Sequence, residues 1–299
     1  MEIQSVHLPD QPDLAARVRD LTEEAARVDG IDPLSEQFLL GLVDARVAHR
    51  HLILTDGDQL RGVAACDDSS CELVVAPDAR RQGVGTALLE AVGDADVWAH
   101  GDLPAARALA EASGRRPTRR LLVMSVADQA LTEAAVFEPR PGFEALSLRE
   151  SAARWGRDTV EQAWLDANNE AFSWHPEQGG WDLDRLRRAQ EAAWFDEDDV
   201  LFHWDTSTDG KPALAGFHWT KWHTEDTPAF GEVYVVGLAT AYRGQGLGDP
   251  LLRLGLEHLA GKGARRVILY VEADNGPAVR VYEDLGFVVD EEHVVYSQP

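Results

Sequence analysis

The chain has few lysines and no long apolar run, and each scarcity argues against a class of protein. Lys211, Lys221 and Lys262 are its three lysines, and 52 acidic against 28 basic residues give a net charge of −24. A negative field repels polyphosphates, so neither nucleic acid nor an anionic membrane is expected as a partner. No apolar run approaches the roughly 18 residues of a membrane span. The acidity fits an ordinary soluble surface or a salt-adapted host.

The two cysteines and ten histidines give no sign of a disulfide framework or a metal site. Cys66 and Cys71 stand five residues apart without metal-ligand spacing, so we expect two reduced thiols in a cytoplasm. The histidines are scattered and form no ligand motif, so no metal is expected. The first residues lack the basic start and apolar stretch of an export signal, which also favours the cytoplasm. The sequence does not fix the oligomeric state, and we expect a monomer.

One motif occurs twice. Residues 73–88 read LVVAPDARRQGVGTAL and residues 236–251 read VGLATAYRGQGLGDPL. In each copy an apolar, strand-like run ends in Arg-x-x-Gly-x-Gly, and an amphipathic helical pattern follows. Arg80 and Arg243 stand 163 residues apart, far beyond the roughly 20–50 residues of a solenoid repeat, which indicates a duplicated domain.

The predicted elements around both copies alternate between strand and helix. This order predicts an α/β fold with a mixed α+β sheet, built as two tandem domains. The order weakens between residues 127 and 143, where prolines flank Arg140, so we place the linker there. The predicted domains are residues 1–135 and 142–299. Helices are also predicted over 31–44, 104–112 and 182–194, and strands over 200–205 and 213–218.

The repeated loop is chemically suited to a pyrophosphate. Glycines let backbone approach a ligand, a helix start offers unpaired N–H groups, and arginine adds positive charge. No Gly-Lys-Ser/Thr follows either copy, which excludes a P-loop. Leu88 and Asp249 stand where the dinucleotide fingerprint needs its third glycine. The remaining match is the loop with which GCN5-related N-acetyltransferases hold acetyl-coenzyme A, and a glycine-rich helix start without a ligand is the alternative.

The two halves differ in titratable side chains. Glu232 lies eleven residues before Arg243, and counting back from Arg80 gives Ser69 at the matching position. Tyr282 follows Pro277 by five residues, and Leu109 follows Pro104 by the same count. Acetyl transfer to an amine needs a base for the ammonium and an acid for the leaving thiolate, which Glu232 and Tyr282 can supply. The alternatives are an exposed strand glutamate and a tyrosine packed under a helix.

Eight of the nine tryptophans fall between residues 155 and 222. They fit either a core or an acceptor cleft that stacks on sugar faces. The polar segment 175–181 favours a binding loop over a plain connector. Lys221, between two tryptophans, is either a paired surface lysine or a substrate contact.

The stretches HPEQGGW (175–181), GFHWTKWH (216–223), GEVYVVGL (231–238), RGQGLG (243–248) and LYVEADNGPAVRVYEDLGF (269–287) resemble the mycothiol synthase family, tandem acetyltransferases of actinobacteria. The resemblance covers the whole chain. It implies transfer of acetyl from acetyl-CoA to the cysteinyl amine of cysteinyl-glucosaminyl-inositol, a small thiol-sugar, with chemistry in the C-terminal half.

The resemblance also assigns residues. It implies Glu232 as general base and Tyr282 as general acid, and substrate contacts at Glu36, Glu177, Lys221, Glu232 and Tyr270. In the first half, it implies coenzyme contacts at Leu73, Val74, Val75, Arg81, Gln82, Gly83, Val84, Gly85 and Thr86. In the second half, it implies contacts at Val236, Gly237, Leu238, Arg243, Gly244, Gln245, Gly246, Leu247, Gly248, Asp249, Asn275, Gly276, Pro277, Ala278, Val279 and Arg280.

Two other functions fit the residues. One is a tandem acetyltransferase for another amine, such as a peptide N-terminus or a small molecule. The other is a non-catalytic acetyl-CoA sensor, which the Glu232/Tyr282 pair disfavours for the second half. The first half, with Ser69 and Leu109, is predicted to be non-catalytic.

Overall fold

The chain forms two compact units in a computed structural model that describes residues 1–174, 178–207, 212–224 and 227–299. Unit 1 comprises residues 1–122, 272–274 and 291–299, and unit 2 comprises residues 123–271 and 275–290. The C-terminal residues thus belong with the N-terminal unit. The predicted domains 1–135 and 142–299 follow the sequence repeat and stay a prediction.

Unit 1 is a sheet with helices on both faces. Its elements are β1 (Glu2–Val6), α1 (Pro12–Asp29), α2 (Glu36–Gly41), β2 (Arg50–Asp56), β3 (Gln59–Cys66), β4 (Ser70–Val75), α3 (Val84–Val92), β5 (Asp96–Ala99) and α4 (Pro104–Ala112). Strands β6 (Arg116–Ala127) and β12 (Val288–Ser297) have residues in both units. The sheet order in unit 1 is β1-β2-β3-β4-β5-β12, with β4 and β5 parallel and the other pairs antiparallel.

The core of unit 1 follows the alternation of its strands. Val18 of α1 and Leu88 of α3 are fully buried against apolar strand residues that include Ala64. The next residue, Ala65, points to the opposite face and packs with Phe38 of α2. Helix α3 covers the face of Gly62 and Ala64, because a Cβ on Gly62 would meet Leu88 and Val84, and α2 covers the face of Ala65.

Unit 2 repeats this plan with a larger aromatic core. Its elements are α5 (Asp128–Ala134), β7 (Phe143–Ser147), α6 (Leu148–Trp155), α7 (Arg157–Ala171), α8 (Leu183–Ala189), β8 (Val200–Asp205), β9 (Ala213–His223), β10 (Phe230–Leu238), α9 (Gly248–Gly261), β11 (Arg266–Glu272, the last residue in unit 1) and α10 (Gly276–Asp284). The sheet order is β7-β8-β9-β10-β11, and only β10 and β11 are parallel.

The two faces of the unit 2 sheet carry different helices. Trp164 of α7 is buried against Phe217 and Trp219 of β9. Leu251 and Leu254 of α9 pack with Leu201 of β8 on the other side. The tryptophans at 164, 204 and 219 are core residues, as one of the two sequence interpretations expects.

Several predicted elements are corrected. The predicted linker contains α5, whose first residue Asp128 has a φ of 49° and gives no helix-start signal in sequence. Strand β1 and helix α6 were not predicted, although Ser147 and Glu150 form a capping box at the start of α6. The predicted helix over 31–44 shortens to α2, and the helix over 182–194 shortens to α8.

The prediction of two reduced thiols is wrong, because Cys66 and Cys71 form a disulfide. The β3–β4 register sets the two residues directly opposite each other, with Cα atoms 4.1 Å apart. A spacing of five residues in sequence does not reveal this pairing. The cysteines therefore no longer support the expected cytoplasmic location.

Candidate active site

The repeated motif forms the same loop in both units. Arg243 Nε lies 3.4 Å from the Leu238 carbonyl oxygen, and Arg80 Nε lies 3.4 Å from that of Val75. Gln245 donates from Nε2 to the carbonyl four residues earlier at 2.6 Å, and Gln82 does the same at 2.8 Å. The repeated residues thus form the same hydrogen bonds in both units, and these bonds fix each loop between its strand and its helix.

The loop arginines form hydrogen bonds within the protein, and the coenzyme contact expected of Arg243 stays a prediction. Arg243 also donates from Nη2 to the Glu170 carbonyl oxygen at 2.7 Å. Arg80 forms two 2.7 Å bonds with the Asp29 carboxylate, and these raise the pKa of the guanidinium. Both side chains therefore hold the loop to its surroundings. The positive end of the helix start remains the anion-attracting feature.

The loop of unit 2 opens directly into α9. Gly244 and Gly246 have φ angles of 72° and 73°, a region that disfavours residues with a Cβ. The N–H groups of the first helical turn have no intrahelical acceptor. Pro250, the third residue of α9, is tolerated there, and Asp249 is bound by Arg253 at 2.8 Å.

A gap between parallel strands lies beside each loop. Pairing of β10 with β11 covers only residues 231–233 of β10, which runs on to Leu238. Pairing of β4 with β5 covers residues 70–72 of β4, which runs on to Val75. No other described strand pairs with these edges. The backbone groups of 73–75 and 236–238, both predicted coenzyme contacts, can therefore bind an extended ligand that carries amides.

Glu232 is buried on β10, with 6% of its surface exposed. His223 of β9 lies beside it, with Nε2 2.7 Å from Glu232 Oε2. The His223 ring stacks on Phe230 at a centroid distance of 4.3 Å. The carboxylate is therefore held by an imidazole that is itself fixed by an aromatic ring.

Lys221 stands directly opposite Glu232 in the β9–β10 register. It is 9% exposed, and its ammonium lies 4.7 Å from the Trp194 ring centroid and 5.7 Å from that of Tyr234. Such contacts stabilise a cation that has lost part of its water. Lys221 is therefore buried and does not lie on the surface, and its predicted substrate contact stays a prediction.

Tyr270 shares the sheet face of Glu232. Ile268 pairs with Glu232, and Tyr270 follows two residues later on β11, where it is 48% exposed. The structure thus brings Lys221, Glu232 and Tyr270 to one face. Glu36 is the exposed first residue of α2 in unit 1, and its predicted substrate contact stays a prediction. Glu177 lies outside the described residues.

Tyr282 lies in α10, whose first turn carries the predicted contacts 275–280. Burial raises the pKa of the Tyr282 hydroxyl to about 12, so it stays protonated at physiological pH. The Asn275 side chain caps α10 by accepting from the Ala278 N–H, and Arg280 Nε lies 3.2 Å from the Gly276 carbonyl oxygen. A stably protonated hydroxyl suits a proton donor.

The residue of unit 1 that corresponds to Glu232 lies one position later than the count in the sequence gives. In β10 the register shifts between Val233 and Val235, so Tyr234 forms a bulge, and β4 pairs with β3 without a shift. Allowing for the bulge, Glu232 matches Ser70 rather than Ser69. Leu109 lies against the unit 1 loop, where its Cδ2 would be 3.2 Å from a Cβ on Gly85. Unit 1 still offers serine and leucine where unit 2 has glutamate and tyrosine.

His223 is the site residue that the sequence analysis missed. The predicted strand over 213–218 ended too early, whereas β9 continues to His223. The period-two run of Phe217, Trp219, Lys221 and His223 was the available signal, because alternate strand residues share a face.

The described residues contain no group of three or more His, Cys, Asp or Glu that could hold a metal ion. Within the same ranges, no helix is both long and apolar enough to cross a membrane.

This chain is similar to N-acetyltransferases both in sequence and in fold. The acetyltransferase (GNAT) family model matches residues 161–287, and an acetyltransferase (GNAT) domain model matches residues 48–137. A GCN5-related N-acetyltransferase from Sphaerobacter thermophilus has a similar fold, with a TM-score of 0.67, 20% identity and coverage of 98% of this chain and 94% of that one. A tandem GNAT protein from the clavulanic acid biosynthesis pathway also has a similar fold. Its TM-score is 0.65, its identity is 18%, and the match covers 99% of this chain and 98% of that one. The chain is a tandem GNAT-fold N-acetyltransferase.

Closer relatives define the family. The mycothiol acetyltransferase of Corynebacterium aurimucosum is 54% identical over 305 residues, covering 100% of this chain and 99% of that protein. The mycothiol acetyltransferase of Corynebacterium glutamicum is 48% identical over 296 residues, covering 99% of this chain and 98% of that protein. The chain belongs to the mycothiol acetyltransferase family, which confirms the resemblance seen in its motifs.

Proposed function

We propose that this enzyme transfers acetyl from acetyl-CoA to the cysteinyl amine of 1D-myo-inositol 2-(L-cysteinylamino)-2-deoxy-glucopyranoside, the last step of mycothiol biosynthesis. The full-length identity to mycothiol acetyltransferases supports the substrate. The observation that supports the catalytic site is the buried Glu232 carboxylate, held at 2.7 Å by His223 on the sheet face shared with Lys221.

In this proposal the donor occupies the gap beside β10. Its pyrophosphate meets the N–H groups at the start of α9, and its pantetheine amides meet the open edge of 236–238. Contacts 243–249 and 275–280 complete the donor site. Glu36, Glu177, Lys221 and Tyr270 are proposed to contact the thiol-sugar.

The reaction needs three proton transfers. Glu232 takes a proton from the acceptor ammonium, and the free amine attacks the thioester carbonyl carbon. The carbon–sulfur bond then breaks, Tyr282 gives its proton to the leaving thiolate, and the second proton that the nitrogen must lose returns to Tyr282. An α-amine with a pKa near 7.7–8.0 needs only a modest base.

Unit 1 is proposed to bind acetyl-CoA through 73–75 and 81–86 without catalysing transfer. Its loop has the hydrogen bonds of the unit 2 loop, but Ser70 and Leu109 supply neither base nor acid. The cytoplasmic location and the monomeric state remain predictions.

The test is acetyl-CoA turnover with cysteinyl-glucosaminyl-inositol, measured as released thiol and as the mass of the acetylated product. Glu232→Gln should lower kcat by about 100-fold or more, because it removes the base and keeps the shape of the side chain. Arg81→Ala, in the unit 1 loop, should leave turnover largely unchanged. Bound coenzyme without turnover in the unchanged enzyme would contradict the substrate assignment and favour another amine or a sensor.

A further inference from the structure

We propose that His223 is a positioning residue for Glu232, an inference that rests on the acetyl transfer proposed above. His223 Nε2 lies 2.7 Å from Glu232 Oε2. An ionised carboxylate only accepts hydrogen bonds, so the imidazole donates from Nε2. This bond occupies Oε2, and Oε1 is the atom that takes the proton of the acceptor ammonium.

The surroundings of His223 fix its ring before substrate arrives. The imidazole is nearly parallel to the Phe230 ring, with an interplanar angle of 14° and a centroid distance of 4.3 Å. Arg266 lies on the same phenyl ring, with its guanidinium carbon 5.8 Å from the centroid. A base that is already oriented needs no rearrangement during the reaction, which is the purpose of a preorganised site.

Two other buried carboxylates lie near histidines, and these histidine–carboxylate pairs have a purely structural role. Asp199 Oδ1 accepts from His258 Nε2 at 2.7 Å, and Lys262 Nζ lies within 2.7 Å of both Asp199 oxygens. Asp199 precedes β8 and binds the C-terminal end of α9, so both of its carboxylate oxygens are occupied by structural contacts.

Glu72 in unit 1 follows the same structural pattern. Its Oε2 accepts from the Ser35 N–H at 2.7 Å, and His100 Nε2 lies 2.9 Å from Oε1, at ion-pair distance but not aligned as a hydrogen bond. Glu232 differs from Asp199, because its described hydrogen bond uses one oxygen only, and from Glu72, whose second oxygen faces His100 at ion-pair distance. That difference marks His223–Glu232 as the pair arranged to accept a proton.

The experiment compares His223→Phe with His223→Gln in the full chain, using cysteinyl-glucosaminyl-inositol and acetyl-CoA. His223→Phe keeps a ring on Phe230 and loses the donor, and His223→Gln keeps an N–H donor. We expect His223→Phe to lower kcat about 10–100-fold, while KM for acetyl-CoA stays within about twofold. His223→Gln should restore most of the lost kcat.

A double variant separates positioning from folding. If His223 acts through Glu232, His223→Phe combined with Glu232→Gln should be no slower than Glu232→Gln alone. His258→Gln removes a histidine–carboxylate bond of the same 2.7 Å length away from the site and should leave kcat unchanged. Thermal midpoints and acetyl-CoA affinity verify that each variant is folded.

Four outcomes overturn the inference. A His223→Phe enzyme with wild-type kcat, or a double variant that loses the product of both single effects, shows that His223 does not act through Glu232. Equal losses in His223→Phe and His223→Gln show that the donor is irrelevant. No turnover by the unchanged enzyme overturns the proposed function, and this inference with it.

Discussion

At the scale of single residues, the protonation of Tyr282 sets the alkaline limit of the reaction. Burial raises its pKa to about 12, so the donor form persists well above the ordinary tyrosine pKa of about 10. A proton donor with a raised pKa keeps its proton as pH rises, so kcat should not fall because of Tyr282 up to about pH 10. Tyr282→Phe should lower kcat about 10–100-fold with little change in KM.

The matched control for Tyr282 is Tyr296. Its pKa is also raised to about 12, mainly by burial and by its bond to Asp102 at 2.7 Å, but it lies in unit 1. Tyr296→Phe should leave kcat unchanged. Pre-steady-state measurement of thiol release distinguishes the chemical step from product release. Equal kcat in Tyr282→Phe and the unchanged enzyme would remove the tyrosine from the mechanism.

At the scale of elements, the duplicated loop supplies its own control. Gly83 and Gly246 occupy matching positions with φ angles of 85° and 73°, and a Cβ on either meets nothing within 4 Å. Alanine at each should cost about 1 kcal/mol of folding free energy through backbone strain alone. In unit 2, the same strain and the new methyl group should raise KM for acetyl-CoA about fivefold, the factor that about 1 kcal/mol gives.

Gly83→Ala should show the stability loss without the rise in KM. Urea unfolding and steady-state kinetics measure the two effects separately. A rise in KM from the unit 1 substitution would show that the first loop contributes to turnover, contrary to its assigned auxiliary role.

At the scale of the whole molecule, buried histidines make stability depend on pH. Burial lowers the pKa of His51, His218 and His293 to about 4. The unfolded chain, with histidine pKa near 6.5, binds more protons between pH 6.5 and 4, so stability is full above 6.5 and falls as pH decreases. Each histidine can contribute up to about 1.4 kcal/mol per pH unit in this window. The urea midpoint should therefore drop clearly between pH 7.5 and pH 5.

A single substitution tests the origin of that slope. His218 Nδ1 lies 3.0 Å from the Leu251 carbonyl oxygen, and His218→Gln can keep a donor there while removing the titration. Its pH slope should be flatter than that of the unchanged protein. A midpoint equal at both pH values would contradict the assignment of these histidines as neutral and buried.

Much of the fold and of the candidate site could be predicted from local sequence patterns. Strand β8 and helix α4 have the predicted bounds, because a short, largely apolar run and an initial proline are local signals. Counting from the repeated loop identifies Glu232, and matching Pro277 with Pro104 identifies Tyr282. Helix α5 is not predicted by the sequence, because its first residue has a left-handed backbone conformation that no sequence pattern indicates.

The sequence by itself determined the duplication, the two glycine loops and the absence of matching titratable groups in the first half, since each depends on residue identity at fixed spacing. Only the tertiary structure decided which side chains meet across strands. The bulge at Tyr234 sets the match to Ser70, the β9–β10 pairing joins His223 to Glu232, and the β3–β4 register joins Cys66 to Cys71. The chain end also returns to unit 1, where Val294–Tyr296 pair with β5. Register and chain return depend on contacts between distant segments, which no local pattern encodes.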